Sequence, residues 1–132
     1  MIISTDHPAT ISGDYVIETG TSGNWRYSKW NSGRMEMWGR GTLTGTVTNT
    51  TGSAVWISAA MDAIEAYPVA FADDPIVTYA AAIHSGGKAG FVMPRGNTGN
   101  ATKPLQLCIC RLDSISGEMS LYVHFYVSGW WK

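Results

Sequence analysis

The stretch Met119-Ser-Leu-Tyr-Val-His-Phe-Tyr-Val127 alternates apolar and polar side chains along its whole length. One set of alternating positions is apolar and consists of Met119, Leu121, Val123, Phe125 and Val127. The other set consists of Ser120, Tyr122, His124 and Tyr126. Because successive side chains of a strand point to opposite faces, this pattern predicts a β-strand with one core face and one polar, aromatic face.

The preceding run, Leu105 to Leu112, has apolar side chains on both of its faces. This pattern predicts a strand that is covered twice, either between two sheets or by another subunit. Cys108 and Cys110 lie two residues apart and therefore on one face, which favours buried free thiols over a disulfide or a redox motif. Gly117-Glu118 separates the two runs and predicts that they form an antiparallel hairpin.

Short runs rich in Val, Ile, Thr, Tyr, Phe and Trp recur along the rest of the chain between Gly, Asn, Asp, Ser and Pro residues. Further strands are predicted at Asp14–Thr19, Asn24–Trp30, Arg34–Arg40, Leu43–Thr48, Ala54–Ser58, Pro68–Phe71, Ile76–Ile83 and Ala89–Pro94. Turns that need a positive φ are predicted at Gly23, Gly33, Gly52, Gly87 and Gly99. This rhythm is typical of an all-β, antiparallel β-sandwich, here predicted to be jelly-roll-like.

Residues 58–66 fit the rhythm less well, because they are mostly good helix formers. Ile57, Met61 and Ile64 are spaced as on one face of a helix, so a short helix and an irregular strand both remain open. Tyr67-Pro68 ends the segment in either case.

The composition fits one folded domain with weak electrostatic protection against association. The 132 residues are 45% hydrophobic and 14% charged, with a formal net charge of −1. We predict a single domain over residues 11–132 and interpret residues 1–10, which include Pro8, as a connector from a longer polypeptide. The low charge favours self-association.

The charge balance and the motifs argue against several function classes. Nine Lys and Arg residues against ten Asp and Glu residues give no basic field, so nucleic acid is not an expected partner. No apolar run has the length of a membrane span, and no signal peptide is recognised, so membrane insertion is not expected either. His7, His84 and His124 share no ligand spacing, and hydrolase and phosphate-loop motifs are lacking. We therefore expect no metal, no cofactor and no catalytic residue.

The segment Asp14–Gly39 resembles a pattern found near the C-terminal end of tail-fibre and minor structural proteins of phages and prophages. The pattern consists of DYVIE, a GTSG turn and the spacing W-x-Y-x-K-W-x-S-G-x-x-E-x-W-G, and every fixed element is present. Tyr67–Phe71 with Asp74–Thr78, and the ending Val123–Lys132, resemble other strands of that family. Met37 departs from the pattern, since family proteins often have Cys at this position.

The resemblance implies the non-enzymatic β-sandwich head of a homotrimeric tail fibre, at the fibre tip of the virion and attached to the rest of the fibre. Its expected partner is a component of the bacterial surface, either a glycan or a surface protein. A purely structural trimerisation cap, a small glycan depolymerase and a carbohydrate-binding module of a bacterial enzyme remain as alternatives.

Fibre specificity is expected in loops, because a fixed scaffold tolerates change there. Ligand contacts are therefore predicted in two polar loops, at residues 84–88 and 95–103. The predicted contacts are His84, Lys88, Arg95, Asn97 and Asn100, with Tyr79 or Tyr122 as aromatic platforms. Subunit contacts are predicted for Trp25, Trp30, Trp38, Cys108, Cys110, Tyr122, His124 and Tyr126.

Overall fold

The computed structural model describes residues 13–51, 55–85, 90–112 and 118–132. The predicted connector at residues 1–10, the predicted ligand residue Lys88 and the side chain of His84 lie outside this described part. The predicted turns at Gly52 and Gly87 also lie outside it. Within the described part, no helix is long and apolar enough to cross a membrane.

The described residues form two antiparallel sheets and no helix, which confirms the predicted all-β class. The strands are β1 (Val16–Ser22), β2 (Trp25–Trp30), β3 (Arg34–Thr46), β4 (Asn49–Thr51), β5 (Val55–Ile57), β6 (Ile76–Ser85), β7 (Phe91–Pro94), β8 (Leu107–Arg111) and β9 (Glu118–Trp130). The five-stranded sheet has the order β1-β2-β3-β9-β6, and the four-stranded sheet has the order β4-β5-β8-β7.

Two glycines with positive φ make the turns that begin the five-stranded sheet. Gly23 has φ 58° between β1 and β2, and Gly33 has φ 102° between β2 and β3. Only glycine adopts these angles without a steric penalty on Cβ, so both predicted turns are confirmed. The β1-β2-β3 meander therefore follows from the local sequence.

The two sheets share one hydrophobic core, an arrangement consistent with a β-sandwich. Trp25, Met35 and Met37 of the five-stranded sheet pack in one buried cluster with Leu107 and Ile109 of the four-stranded sheet. The apolar face predicted for β9 is confirmed, because every one of its side chains is buried in this cluster: Met119, Leu121, Val123, Phe125 and Val127.

A row of glycines on the inner face of β3 allows residues 58–66 to pack close to the strand. A Cβ on Gly41 would clash with the backbone carbonyl of Ala63, whose oxygen accepts a 3.0 Å hydrogen bond from the Thr42 N–H. Residues 58–66 form no helix, and their single bridge joins Met61 to Leu107. The helical alternative for this segment is therefore wrong, because contact with β3 and β8 overrides its local propensity.

The predicted hairpin between the two C-terminal runs is wrong, because β8 and β9 belong to different sheets. β9 pairs with β3 from Arg34 to Thr46 on one side and with β6 on the other, so both of its hydrogen-bonding edges are taken. β8 lies between β5 and β7, and all five of its residues are buried. Its two apolar faces are thus covered within one chain.

Two other predicted strands differ from the structure. Arg34–Arg40 and Leu43–Thr48 belong to one continuous strand up to Thr46, since Gly41 keeps its pairing with Val123. Pro68–Phe71 is not a strand, although the Phe71 N–H donates a 2.9 Å hydrogen bond to the Ala101 carbonyl. Proline lacks the N–H that a regular strand ladder requires at this position.

Candidate ligand-binding face

The side of the five-stranded sheet that points away from the core carries aromatic, cationic and small side chains. We call it the outer face. Its pairing register brings β2, β3, β9 and β6 into cross-strand rows, because residues opposite each other in a sheet share a face. The central row consists of Arg26, Trp38, Tyr126 and Thr78, and the adjacent row contains Arg40, His124 and Ala80.

Trp38 and Tyr126 form the aromatic centre of the outer face. The residues are directly opposite each other on β3 and β9, and their ring centroids lie 6.0 Å apart with an interplanar angle of 56°. Trp38 is 41% exposed and Tyr126 is 38% exposed, so much of both rings faces solvent. Such a pair presents flat apolar surface together with an indole N–H and a phenol O–H.

An open groove of about 500 Å³ runs beside this aromatic pair. Its lining consists of Asn24, Arg26, Trp38, Gly39, Arg40, Thr78, Tyr79, Ala80, His124, Phe125 and Tyr126. The small Thr78 and Ala80 side chains of β6 lie opposite Tyr126 and His124, which leaves space above the edge of the sheet. No Asp or Glu occurs among these lining residues.

A second groove of about 780 Å³ continues from the first across β1 and β2. The two grooves share Arg26 and Trp38 as lining residues. The second is lined further by Thr19, Gly20, Thr21, Tyr27 and Ser28, which are mostly small or hydroxyl-bearing. Together they form an extended cleft with an aromatic residue at its middle.

Two arginines flank the aromatic pair. In the described part of the chain, the ion pairs join Lys29 to Glu18 and Arg34 to Asp14 and Glu36. Neither Arg26 nor Arg40 takes part in any of these described pairs. The Arg40 guanidinium carbon lies 3.9 Å from the centre of the Tyr122 ring, a cation–π geometry.

A polar network supports the aromatic centre from one end of the outer face. Arg34 bonds Glu36 at 2.5 Å and Asp14 at 3.3 Å, and its guanidinium carbon lies 3.8 Å from the centre of the Trp30 ring. Burial and the neighbouring Glu36 carboxylate raise the pKa of Tyr126 above its ordinary value. Tyr126 therefore stays a neutral phenol at physiological pH.

Two of the predicted ligand residues in the loop at 95–103, Arg95 and Asn100, use their side chains within the fold, and Asn97 uses its backbone N–H. Arg95 donates a 2.9 Å hydrogen bond to the Ser58 carbonyl, and the Asn97 N–H donates to the Gln106 side chain at 3.1 Å. Asn100 Oδ1 accepts from the Thr102 N–H, the Thr102 hydroxyl and the Lys103 N–H, at 2.8, 2.7 and 3.1 Å. These hydrogen bonds stabilise the loop that connects β7 to β8 in the four-stranded sheet.

The two predicted platforms lie on opposite faces of the five-stranded sheet. Tyr79 pairs with the inward-facing Phe125 and packs against the core, whereas Tyr122 pairs with Thr42 on the outer face. Tyr122 therefore lies with the outer-face aromatics, whereas Tyr79 lines part of the first groove from the inward-facing row.

Three of the predicted subunit-contact residues are buried inside one chain. Trp25 is 0% exposed and donates a 2.9 Å hydrogen bond from its indole N–H to the Glu65 carbonyl. Cys108 and Cys110 are also 0% exposed, and their sulfur atoms lie 3.7 Å apart. Burial, assisted by the contact with Cys108, raises the pKa of the Cys110 thiol to about 12. The prediction of subunit contact is wrong for these three, because their side chains do not reach the surface.

The other predicted subunit-contact residues are brought together on the outer face. Trp38, His124 and Tyr126 are exposed, and Trp30 and Tyr122 are partly exposed. Sequence reasoning missed their neighbours Arg26 and Arg40. The available signal was the alternation of β3, which places Arg34, Glu36, Trp38 and Arg40 on the face opposite Met35 and Met37.

No cluster of three or more His, Cys, Asp and Glu side chains suited to a metal ion occurs among the residues that the structure describes. A comparison with protein-family models, with curated proteins and with solved structures found no match to this chain.

Proposed function

We propose that this chain is a non-catalytic, glycan-recognising head domain, and that the outer face is its binding site. The observation that carries the proposal is the exposed Trp38–Tyr126 pair beside an open groove. Sugars present flat C–H faces that stack on aromatic rings and hydroxyls that polar side chains orient. Arg26, Arg40 and His124 supply those polar groups around the pair.

The composition of the groove favours binding over hydrolysis. Glycosidases use two carboxyl groups beside the scissile bond, and the residues that line the groove include no carboxylate. The nearby Glu36 is held in an ion pair with Arg34. Incubation of the domain with purified host polysaccharide is expected to release no oligosaccharides, and released products would instead support a depolymerase.

The biological setting that we propose is the tip of a phage tail fibre, with a jelly-roll-like sandwich assembled as a homotrimer in the virion. The sequence resemblance of Asp14–Gly39 supports this setting. Within that segment, Gly23 and Gly33 form turns, Trp25 lies in the core and Trp38 is exposed. Exposed apolar side chains away from the grooves, including Val16 and Leu112, offer surface for subunit contacts.

The direct test is adhesion of the labelled domain to host cells, with Trp38→Ala and Tyr126→Ala as variants. We expect each substitution to reduce adhesion at least tenfold, because each removes part of the stacking surface. Phe91→Ala is the matched control, since it removes a similarly exposed aromatic ring from the four-stranded sheet. Equal adhesion of Trp38→Ala and the control would refute the outer face as the binding site.

A structural trimerisation cap is a second candidate, favoured by the exposed apolar side chains on or beside the outer face: Trp38, Tyr126, Trp130 and Ile76. A subunit interface there would bury Arg26 and Arg40, and charges buried without partners are strongly destabilising. Sedimentation separates the two functions. Loss of the trimer mass, three times 14.3 kDa, in Trp38→Ala would favour the cap, whereas lost adhesion at unchanged mass would favour glycan binding.

A further inference from the structure

We propose that the glycan bound at the outer face is acidic and that Arg26 and Arg40 bind its carboxylate groups. This inference rests on the proposed glycan-binding function and adds the charge class of the ligand. It is carried by the placement of the two arginines, by the absence of a described ion-pair partner for either, and by the composition of the groove.

The two arginines lie on either side of Trp38. Arg26 is directly opposite Trp38 on β2, and Arg40 follows Trp38 by two residues on β3, so all three share the outer face. Arg26 and Arg40 are thus diagonal neighbours across two paired strands, for which the separation is roughly 7–8 Å. Their long side chains reach the same sugar, or adjacent sugars of a chain, stacked on Trp38.

Lys29 and Arg34, the other cationic side chains of β2 and β3, have ion-pair partners. Arg34 is shared between Asp14 and Glu36, and Lys29 pairs with Glu18 at 3.4 Å. Among the cationic side chains of β2 and β3, Arg26 and Arg40 alone take part in none of the ion pairs found in the described ranges of the chain. The chain thus neutralises the cations at the end of the sheet and leaves two arginines for a ligand at the groove.

The Arg40 guanidinium is restrained before any ligand binds. Its central carbon lies 3.9 Å from the centre of the Tyr122 ring, and this contact limits where its N–H donors can be placed. A planar guanidinium binds a carboxylate through two parallel hydrogen bonds, which makes it selective for this planar anion. Lysine would supply the charge without this fork geometry.

The groove concentrates positive charge in a chain whose net charge is −1. Its lining includes the two positively charged side chains of Arg26 and Arg40 and no acidic residue. A cleft lined with one sign of charge attracts ligands of the opposite sign. A neutral glycan would leave these arginines without an anionic partner, whereas a polymer of uronic acids supplies one on each sugar.

The test compares oligo-uronates with the same oligomers after reduction of each carboxyl to a hydroxymethyl group. We expect the wild-type domain to bind the acidic oligomers at least tenfold more tightly, and the difference to shrink as salt is raised. Arg26→Gln and Arg40→Gln should each lower affinity for the acidic oligomers about tenfold while leaving weak binding of the reduced oligomers unchanged.

Lys103→Gln is the matched control, because it removes one positive charge from a residue outside both outer-face grooves. Arg40→Lys is a second variant that keeps the charge, and it should recover only part of the affinity. Near-ultraviolet circular dichroism of each variant confirms that the fold is retained.

The outcomes separate this inference from the proposed function. Equal affinity for acidic and reduced oligomers, with Trp38→Ala still disruptive, would overturn the acidic ligand and keep glycan binding. Loss of binding after protease treatment of the host surface would indicate a protein receptor and would overturn both. Tighter binding of acidic oligomers that depends on both arginines would support the inference.

Discussion

The carbonyl oxygen of Ala63 occupies the space into which a side chain on Gly41 would project. Because that oxygen belongs to the backbone and accepts the Thr42 N–H, it cannot move aside as a flexible side chain does. Residues 58–66 can therefore pack this closely against the five-stranded sheet only because residue 41 of β3 is a glycine.

Gly41→Ala is expected to destabilise the domain by about 3 kcal/mol, since added core volume that meets backbone forces a shift of the chain. Gly45→Ala is the matched control on the same face of the same strand. There the added Cβ would lie 3.2 Å from the terminal methyl of the flexible Met61 side chain. Chemical denaturation measures both, and similar losses would contradict the role given to Ala63.

Glu65 anchors the start of β2 and is expected to make stability depend on pH. Its carboxylate accepts from the Asn24 N–H at 2.6 Å and from the Asn24 amide at 3.1 Å. The backbone hydrogen bond from Asn24 is the main cause that lowers the Glu65 pKa below its ordinary value of 4.5, against a partial desolvation effect. This stabilisation is complete above pH 4.5 and is lost as the pH falls through the lower folded pKa.

Glu65→Gln should therefore cost about 1 kcal/mol near neutral pH, and its difference from the wild type should shrink in acid. Thermal or denaturant unfolding across this pH range measures the effect. Asp74→Asn, which removes an exposed carboxylate elsewhere, is the control. A Glu65→Gln penalty that is constant with pH would argue against a charged hydrogen-bond acceptor.

Asn100→Ala is expected to change stability and leave ligand binding intact. The side-chain oxygen accepts three hydrogen bonds within its own loop, so its removal should cost about 1–2 kcal/mol. Unfolding experiments measure the loss, and the adhesion assay should give wild-type values for the folded variant. A loss of adhesion without a loss of stability would instead indicate that the binding site lies in the loop at 95–103.

Cys108 and Cys110 are expected to resist thiol reagents in the folded domain. Both are fully buried, and the raised pKa of Cys110 disfavours the reactive thiolate. Labelling with an uncharged maleimide should follow the rate of unfolding and become fast in denaturant. Rapid labelling under native conditions would contradict the burial of this pair within one chain.

The sequence predicts well those features that depend on near neighbours. The alternation of Met119–Val127 predicts which side of β9 is buried, and Gly23 and Gly33 predict the first two turns. Strand partners are harder to predict from the sequence, because the pairing of one strand depends on which edges of all the other strands are available. The run around Cys108 reads correctly as doubly covered, yet it pairs with β5 and β7 and not with the next strand along the chain.

The sequence predicts only part of the candidate site, for the same reason. Tyr122, His124 and Tyr126 share a face through their spacing alone. The alternation of β3 places Arg40 on the face of Trp38. Only the registers of β2 with β3 and of β3 with β9 bring Arg26 and Arg40 beside the residues of β9, and no local pattern encodes those registers. The expectation that ligand contacts lie in loops also leaves out the outer face of the sheet, where side chains are held more rigidly.

On β2, β3 and β9, and on β6 from Ile76 to Ile83, cross-strand pairing joins even-numbered residues to even-numbered residues, and the side chains that form the rows of the outer face occupy even positions. Mutational tolerance should thus follow the parity of the residue number along these strands. Odd positions preserve the scaffold, whereas exposed even positions such as Trp38, Arg40 and Tyr126 are free to diversify. Under the proposed function, a library randomised at a few exposed even positions would change the ligand that the domain binds without redesigning its interior.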